Sequence, residues 1–435
     1  MKRIKIAFVL TLVTLSLSHA QEPVNVELKS LIQKSFSYFP RLKELEQQVD
    51  ISTVREDVTR ASYRPVVSAS ATYSYLNPVS IINIPTGPGT VQEIQTQPYG
   101  NQNANLAVNQ LLYDFGRAKH SLGKSKYDIL IAKDNLELNK ATLAAQVATI
   151  YFGALYLEQS IVVQDSVIQY FTQSKKLVDN KIKRGDALEF DALTAQSNID
   201  QAGNRKVDLQ NQLQRQYNLL TYSTGESQNA LGSNSSLEFP LGMVSQDSLI
   251  AIARENNREI ALNKKRILSQ EEDLALNRKN FMPTLTLNAA AGFRNGYQPD
   301  ISQTRFNYLV GGGLNIPIYN GNRSRNQVKI AESTLLSTKF AANNVEAVVK
   351  RDIDQALADI QASTDRLKNI ASQIAQASRA LELAKSRFKN GTITYVELLN
   401  SQTNLQQALL FKLQYSYQIT LAKVELARLM GVVYW

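Results

Sequence analysis

The sequence predicts an α+β membrane protein in which pairs of β-strands alternate with very long helices, arranged as two tandem copies of one unit. Three observations predict this class. The chain matches itself at a constant offset of 206 residues, so that Tyr113 falls on Tyr319 and Gly185 on Gly391. Apolar residues change from a helical spacing to strict alternation after Pro65. Finally, a proline-free tract of about 68 residues, long enough for one extended helix, follows the strands of each copy.

The N-terminus has the pattern of a secretion signal over residues 1–20. Basic residues precede an apolar run from Ile6 to Leu17, and Ser18-His19-Ala20 provides a cleavage site of the small-x-small type. The apolar run is shorter than the ~20 residues that a spanning helix needs. We therefore expect cleavage after Ala20 and export of the rest of the chain.

Composition excludes several kinds of site. The chain has no cysteine, which excludes disulfides, thiolate metal ligands and lipid attachment through cysteine. Its formal charge is +10, but Lys and Arg alternate with acidic residues along helical stretches, so nucleic acid is not an expected partner. His120 and the acidic run Glu271-Glu272-Asp273 are interpreted as surface or packing features of helices. We predict no catalytic residue, no metal site and no cofactor.

Each copy opens with two helices and changes to strands at a proline. Arg64-Pro65 and Met282-Pro283 mark these points, because proline lacks the N–H donor that a continuing helix needs. After Pro65, Val67, Ala69 and Ala71 alternate with serine and threonine, so one strand face is apolar and the other hydroxylated. Strands of about ten residues with two such faces suit a tilted membrane strand.

The loops between paired strands are expected to be exposed. They are rich in Pro, Gly and Asn, as in residues 83–89 and 295–299. The offset between the copies falls from 218 before these loops to 206 after them, so the first loop is 12 residues longer. A length change confined to hairpin tips is typical of exposed loops. The last strand is expected to run from Phe306 to Ile318.

The tracts after the strands predict two helices of about 100 Å each. Apolar residues from Leu143 to Phe171 follow a 3.5-residue repeat that is interrupted at Gln164, which predicts a coiled coil. Each long helix is predicted to end at a glycine, Gly185 or Gly391, because glycine accepts the left-handed conformation that ends a helix. A shorter helix then returns along the first.

These boundaries give the predicted organisation. The first copy spans residues 21–225, with a β-hairpin at 66–112, a long helix at 114–182 and a return helix at 187–222. A linker at 226–244 leads to the second copy at 245–435, with a hairpin at 284–318, a long helix at 320–388 and a return helix at 394–430. Four strands cannot close a barrel, and open sheet edges are not tolerated in hydrocarbon. Several chains must therefore share one barrel.

Two motifs carry a resemblance to a known family. Residues 317–323 read Pro-Ile-Tyr-Asn-Gly-Asn-Arg at the predicted strand-to-helix junction, and residues 387–402 cover the second reversal. At this spacing inside a duplication, the chain resembles TolC-like outer membrane efflux proteins over essentially its whole mature length. The resemblance implies a homotrimer in which twelve strands close one β-barrel, continuous with a coiled-coil helical barrel across the periplasm. It also implies an open outer mouth, a constricted inner end and a linker at 226–244 that packs outside the tunnel.

The resemblance further implies where function lies. In that family an aromatic residue before the glycine and acidic residues after it line or latch the constriction, which by position gives Asp191, Phe388, Glu397 and Asn400 as gate residues. Asn400 stands where relatives often carry a second acid, and Ile393 where some carry a basic latch. We therefore expect one carboxylate ring, formed by Glu397, that attracts cations to a narrow axis. The alternative for Glu397 is an ion pair with a neighbouring basic residue.

The same turns are expected to form the tip that meets a periplasmic adaptor, although they could also be helix caps alone. The predicted docking residues are Lys183, Arg184, Gly185, Asp186, Gly391 and Thr392. The function implied by the resemblance is a passive export duct for solutes delivered by an inner membrane pump and a periplasmic adaptor (membrane fusion) protein, embedded in outer membrane lipid. The outer component of a type I protein secretion system differs only in cargo. A periplasmic coiled-coil scaffold without a pore has no use for strands with one apolar and one polar face. A secreted enzyme would need a cleft with convergent polar groups, and the sequence indicates none.

Overall fold

The computed structural model describes residues 26–232, 236–242 and 245–435. The predicted signal at 1–20 and parts of the predicted linker at 226–244 lie outside these ranges. The chain divides into two compact units. One contains the paired strands and comprises Pro40–Lys140 and Ile252–Arg351, and the other is helical and comprises the residues up to Phe39, Ala141–Ala251 and Asp352–Trp435.

Both copies place their elements in the same order, apart from two additional short strands, β2 and β3, in the first copy. The elements of the first copy are α1 Val26–Tyr38, α2 Pro40–Ala61, β1 Val66–Tyr75, β2 Ile81–Gly87, β3 Thr90–Gln95, β4 Gly100–Tyr113, α3 Arg117–Ile182 and α4 Glu189–Thr224. Those of the second copy are α5 Gln246–Asn256, α6 Arg258–Arg278, β5 Thr284–Arg294, β6 Arg305–Asn315, α7 Arg323–Lys389 and α8 Tyr395–Leu429. The α+β class with two tandem repeats is thereby confirmed.

The long helices α3 and α7 contain 66 and 67 residues. They begin at Arg117 and Arg323, three residues later than the sequence predicts, because Asp114 and Asn320 act as caps ahead of them. The Asp114 carboxylate accepts the N–H of Ala118, and Asn320 Oδ1 accepts that of Ser324 in the other copy. Among the described residues, no helix has the apolar content that crossing a bilayer requires.

The paired strands form one antiparallel sheet in the order β1-β4-β5-β6. Its register aligns Ala69 with Leu106, Leu106 with Ala291, and Ala291 with Tyr308. The central β4–β5 pair joins the two copies of the repeat. Among the strands that the structure describes, β1 and β6 have no partner on their outer sides.

The sheet has one apolar face and one polar face, as the alternation predicts. The apolar face is largely exposed, with Tyr308 77% and Val310 67% accessible. The polar face carries serine, threonine and asparagine, and Ser70 Oγ donates to Asn105 Oδ1 at 2.9 Å across β1 and β4. An exposed apolar surface of this size needs a nonpolar environment to cover it.

The tip of the first hairpin differs from the prediction. Residues 83–89 are not simply a loop, because β2 and β3 pair as a separate hairpin with Ile82 opposite Ile94. The β-branched residues that flank the Pro and Gly signals favour strands, and their contribution outweighs those signals. In the second copy, β6 ends at Asn315 and not at Ile318, since Pro317 cannot donate to a ladder.

The acidic run on α6 is not merely solvated. Each of its three carboxylates contacts a different basic residue: Glu271 contacts Lys339 at 3.6 Å, Glu272 contacts His120 at 2.7 Å and Asp273 contacts Lys124 at 2.8 Å. The run therefore links α6 to both α3 and α7 within the sheet-bearing unit. The interpretation of His120 as a packing residue agrees with this contact.

The helical unit contains a buried polar layer where the predicted coiled-coil repeat is interrupted. Gln164 is 2% exposed, and its Nε2 donates to the carbonyl of Ala202 on α4 at 3.0 Å. Its Oε1 accepts from Gln406 Nε2 on α8 at 3.3 Å. The interruption is thus filled by two hydrogen bonds of Gln164, which together connect α3, α4 and α8.

Candidate functional site

The reversal after α3 is closed by a left-handed glycine. Gly185 has φ of 81°. Its N–H donates to the carbonyl of Ile182, and the N–H of Asp186 donates to that of Lys181, both at 2.9 Å. This pair of bonds satisfies carbonyls that the helix end leaves free. Arg184 and Asp186 form an exposed ion pair at 3.6 Å, and no described residue other than its two chain neighbours has an atom within 4 Å of a Cβ added to Gly185. The first turn is therefore open to close approach.

The reversal after α7 repeats this geometry. Gly391 has φ of 77°, and its N–H donates to the carbonyl of Phe388 at 3.1 Å. The backbone N–H and the hydroxyl of Thr392 both donate to the carbonyl of Arg387 at 3.0 Å. The two predicted docking turns are thus equivalent helix caps, with an additional hydroxyl bond in the second.

Glu397 occupies the third position of α8 and caps its own helix. Its Oε2 accepts the backbone N–H of Thr394 at 2.7 Å and the hydroxyl of Thr394 at 2.9 Å. The N–H of Glu397 donates back to Thr394 Oγ1 at 3.3 Å. These bonds, led by the backbone N–H of Thr394, lower the pKa of Glu397 below its ordinary value. The carboxylate is ionised and exposed, and its partners belong to its own turn.

Asp191 occupies the same position of α4, 206 residues earlier. Its Oδ2 accepts the backbone N–H of Leu188 at 3.3 Å. Leu188 stands where the second copy has Thr394, so the first copy lacks the hydroxyl that completes the arrangement. Both predicted gate acids are therefore helix-capping residues, and Asp191 is the more weakly held of the two.

Phe388 and Asn400 have opposite environments. Asn400 is exposed, one turn along α8 from Glu397. Phe388 is only 4% exposed and lies in an apolar cluster, with its ring centroid 6.0 Å from that of Tyr395. The other buried members of the cluster are Val178, Ala195, Leu381, Ala384 and Leu398. Phe388 thus fixes the position of the turn from inside the helical unit.

Sequence reasoning missed Lys181, which lies beside the second turn. Its side chain is largely buried, and Nζ lies 4.8 Å from the centroid of the Phe388 ring, a cation–π contact. The 206-residue register aligns Lys181 with Arg387, which is exposed. The two local sequences give no signal that one of these side chains is buried and the other exposed, so only the packing of the turns identifies Lys181.

Two further residues near the turns were also missed. Lys385 Nζ lies 4.1 Å from the centroid of the Tyr170 ring, and burial lowers the pKa of this lysine. Gln402 is buried and donates to Ser174 Oγ at 2.8 Å.

Among the residues that the structure describes, no group of three or more His, Asp or Glu side chains could hold a metal ion. The turns therefore place charged side chains beside a packed aromatic cluster.

Comparison with known proteins places these features in a family. The family model described as outer membrane efflux protein matches residues 31–226 and 249–432. The outer membrane protein TolC of Vibrio cholerae is 24% identical over 66% of this chain and 61% of its own length. The outer membrane protein OprJ of Pseudomonas aeruginosa is 21% identical over 94% of this chain and 84% of its own length. A crystal structure of CusC has a TM-score of 0.79 at 17% identity and covers 93% of this chain, with 92% of its own chain matched.

The family match covers both copies of the repeat, including the four-stranded sheet and the two helix reversals. The chain therefore belongs to the outer membrane efflux protein family. It is an outer membrane channel of an efflux system, and it extends into the periplasm.

Proposed function

We propose that three copies of this chain form one passive export duct across the periplasm and the outer membrane. A periplasmic adaptor and an inner membrane pump would bind the duct, and the pump would supply the energy. The observation that carries this proposal is the four-stranded sheet, which has an exposed apolar face and, among the described strands, no partner at either edge. Such a sheet is stable in hydrocarbon only when other chains pair both edges and lipid covers the apolar face. The number three comes from the family resemblance.

The family description favours efflux of solutes over secretion of proteins. A scaffold without a pore would leave the apolar face uncovered in water.

The decisive experiment is to measure the mass of the purified protein in detergent by light scattering and its conductance in planar bilayers. A trimer that conducts ions supports the duct. A monomer without conductance favours the scaffold.

The gate is proposed to lie at the exposed starts of the return helices. Asp191 and Glu397 would place carboxylates around the axis, and Asn400 would line it one turn further along α8. Phe388 would hold the turn in place and would not itself line the opening. Because a ring of carboxylates attracts cations, the resting channel should prefer cations over anions.

The charge and the cap of Glu397 can be tested separately. Glu397→Gln retains a capping side chain but removes the charge, whereas Thr394→Ala weakens the cap and retains the charge. We expect Glu397→Gln to reduce cation selectivity, measured as the reversal potential under a KCl gradient, and Thr394→Ala to leave it unchanged. Asn400→Asp should increase selectivity by adding a second carboxylate. An unchanged reversal potential in both position-397 and position-400 variants excludes this gate.

The turns are also proposed to dock the adaptor. Lys183 and Arg184 are exposed beside an open glycine cap, which supports contact with another helical tip. The double variant Lys183→Glu/Arg184→Glu should retain channel conductance in bilayers but fail to restore to cells that lack the gene the resistance to drugs, metals or detergents that the wild-type gene restores. Full restoration of resistance by this variant excludes a docking role for the two residues.

A further inference from the structure

The sheet carries very little charge, and what it carries lies in one place. Among the residues of β1, β4, β5 and β6, only Arg294 and Arg305 are charged. Arg294 is the last residue of β5, Arg305 is the first of β6, and the two are directly opposite each other in the register. Like charges placed opposite each other on neighbouring strands destabilise a sheet. This arrangement therefore calls for an explanation other than sheet stability.

Both arginines belong to the polar face. Strand alternation puts Arg294 on the same side as Thr286 and Asn288, whereas the neighbouring Phe293 and Phe306 are on the apolar side. The two phenylalanine rings contact each other edge to face, with centroids 5.7 Å apart. Aromatic residues at the end of an apolar strand face are typical of the membrane–water interface. The arginines thus lie at that level but on the side that faces away from lipid.

The arginines also lie at the end of the sheet that is distant from the helices. Residues 295–304 connect β5 to β6 beyond them, while α3 and α7 begin at the other end of the strands. Because the helices extend into the periplasm, the arginines are at the outer end of the polar face.

Neither guanidinium has an acidic partner within the described residues. Arg305 Nε donates to Gln303 Oε1 at 3.3 Å, and Arg305 Nη1 donates to the carbonyl of Gln298 at 3.2 Å. The Asp300 carboxylate accepts instead from the N–H of Ser302 at 3.0 Å. Arg294 is exposed. The positive charges are therefore available to a ligand in solution.

We propose that Arg294 and Arg305 form a positive ring at the outer mouth of the duct, which concentrates anionic solutes there. This inference rests on the proposed trimer, in which each of three chains contributes two guanidinium groups to one rim. Fixed charge at a pore mouth raises the local concentration of counter-ions and lowers that of like-charged ions. The ring would ease the exit of organic anions and of anionic ends of amphiphilic solutes. It would also oppose the entry of cationic compounds from outside.

The field of the ring is limited by salt. The screening length is about 10 Å at 0.1 M ionic strength and about 3 Å at 1 M. An effect of the ring should therefore be visible at 0.1 M KCl and absent at 1 M KCl. This dependence distinguishes a diffuse ring from a tight anion site, which retains affinity in high salt.

The experiment is block of single channels by inorganic tripolyphosphate added to the mouth side in planar bilayers. At 0.1 M KCl we expect the wild type to be blocked, and Arg294→Gln/Arg305→Gln to need at least about ten-fold more tripolyphosphate. Arg294→Lys/Arg305→Lys, which keeps the charge, should be blocked like the wild type. Arg41→Gln, which removes an exposed arginine paired with Glu44 at the start of α2, serves as the matched control and should also behave like the wild type.

The outcomes separate this inference from the proposed function. If the wild type conducts but tripolyphosphate blocks it and the double Gln variant equally, the ring is excluded while the duct stands. If block persists at 1 M KCl, a tight anion site replaces the ring. If the protein forms no channel at all, the proposed duct fails, and the ring fails with it.

Discussion

Lys181 of the first turn and Phe388 of the second are in direct contact, with Nζ 4.8 Å from the ring centroid. The two residues belong to different copies of the repeat and are not equivalent in its register. Nζ also lies 3.7 Å from the position of a Cβ on Gly391. One side chain therefore connects both reversal points, and the two turns are coupled within a single chain.

This coupling predicts a large effect for Phe388→Ala. Removal of a buried aromatic ring costs about 3–5 kcal/mol, and here it also removes the surface on which Lys181 rests. We expect a lower thermal unfolding midpoint and a higher resting conductance, because the turn at Gly391 loses its support. Phe388→Leu, which preserves most of the apolar volume, is the control and should change both quantities less. Wild-type conductance in the Ala variant would contradict the assigned role.

The cap formed by Glu397 predicts a dependence of stability on pH. Since folding lowers the pKa of this carboxyl group, the ionised form stabilises the turn above the ordinary glutamate value of about 4.3. This contribution is lost as the pH falls through the lower pKa of the folded state. We expect the thermal midpoints of wild type and Glu397→Gln to differ above pH 5 and to converge at more acidic pH. A difference that stays constant across this range would contradict the capping role.

The buried glutamine layer predicts non-additive mutations. Gln164→Leu leaves the Nε2 donor of Gln406 without its partner, and Gln406→Leu leaves Gln164 Oε1 without its donor. Each single change should cost about 1–3 kcal/mol of unfolding free energy. The double change restores the apolar repeat and should cost less than the sum, by about 0.5–3 kcal/mol. Denaturant unfolding of all four proteins measures this coupling, and strict additivity would show that the hydrogen bond is unimportant.

The β4–β5 pair, which joins the two repeats, contains a position that only glycine fits. A Cβ on Gly292 would overlap the backbone of Ala104 and Asn105 on the paired strand β4. Gly292→Ala should therefore destabilise the sheet by about 1–3 kcal/mol and reduce the yield of trimer. Gly311→Ala is the matched control, because among the described residues only its own chain neighbours come within 4 Å of its added Cβ. Equal trimer yields for the two variants would contradict the steric argument.

The sequence predicted well the features that depend on the spacing of apolar residues and on the breaks that glycine and proline make between elements. The alternation after Pro65, the long helices and the reversals at Gly185 and Gly391 are local signals, and duplication allows each to be checked against its counterpart. The hairpin of β2 and β3 was missed because Pro and Gly dominate residues 83–89, although the flanking isoleucines favour strands.

The environments of the residues proposed for the gate were harder to predict, because they depend on contacts between distant segments. Phe388 was expected at a lumen but lies inside a cluster that includes residues from α3, α4 and α8. For Glu397 the ion pair weighed from the sequence does not form among the described residues, because the carboxylate caps its own helix; its place in the gate stays a prediction. The Thr-x-x-Glu pattern at residues 394–397 was a local signal that could have revealed this.

The unpaired outer sides of β1 and β6 have a genetic consequence. In the proposed ring all chains have the same orientation in the membrane, and β1 and β6 are antiparallel to each other, so β6 of one chain would pair with β1 of the next and the joints would run head to tail. A chain with a damaged β6 still presents an intact β1, and it can therefore join a growing ring and stop it from closing. Such an allele would withdraw normal chains from assembly, and its effect would be dominant over a wild-type copy of the gene.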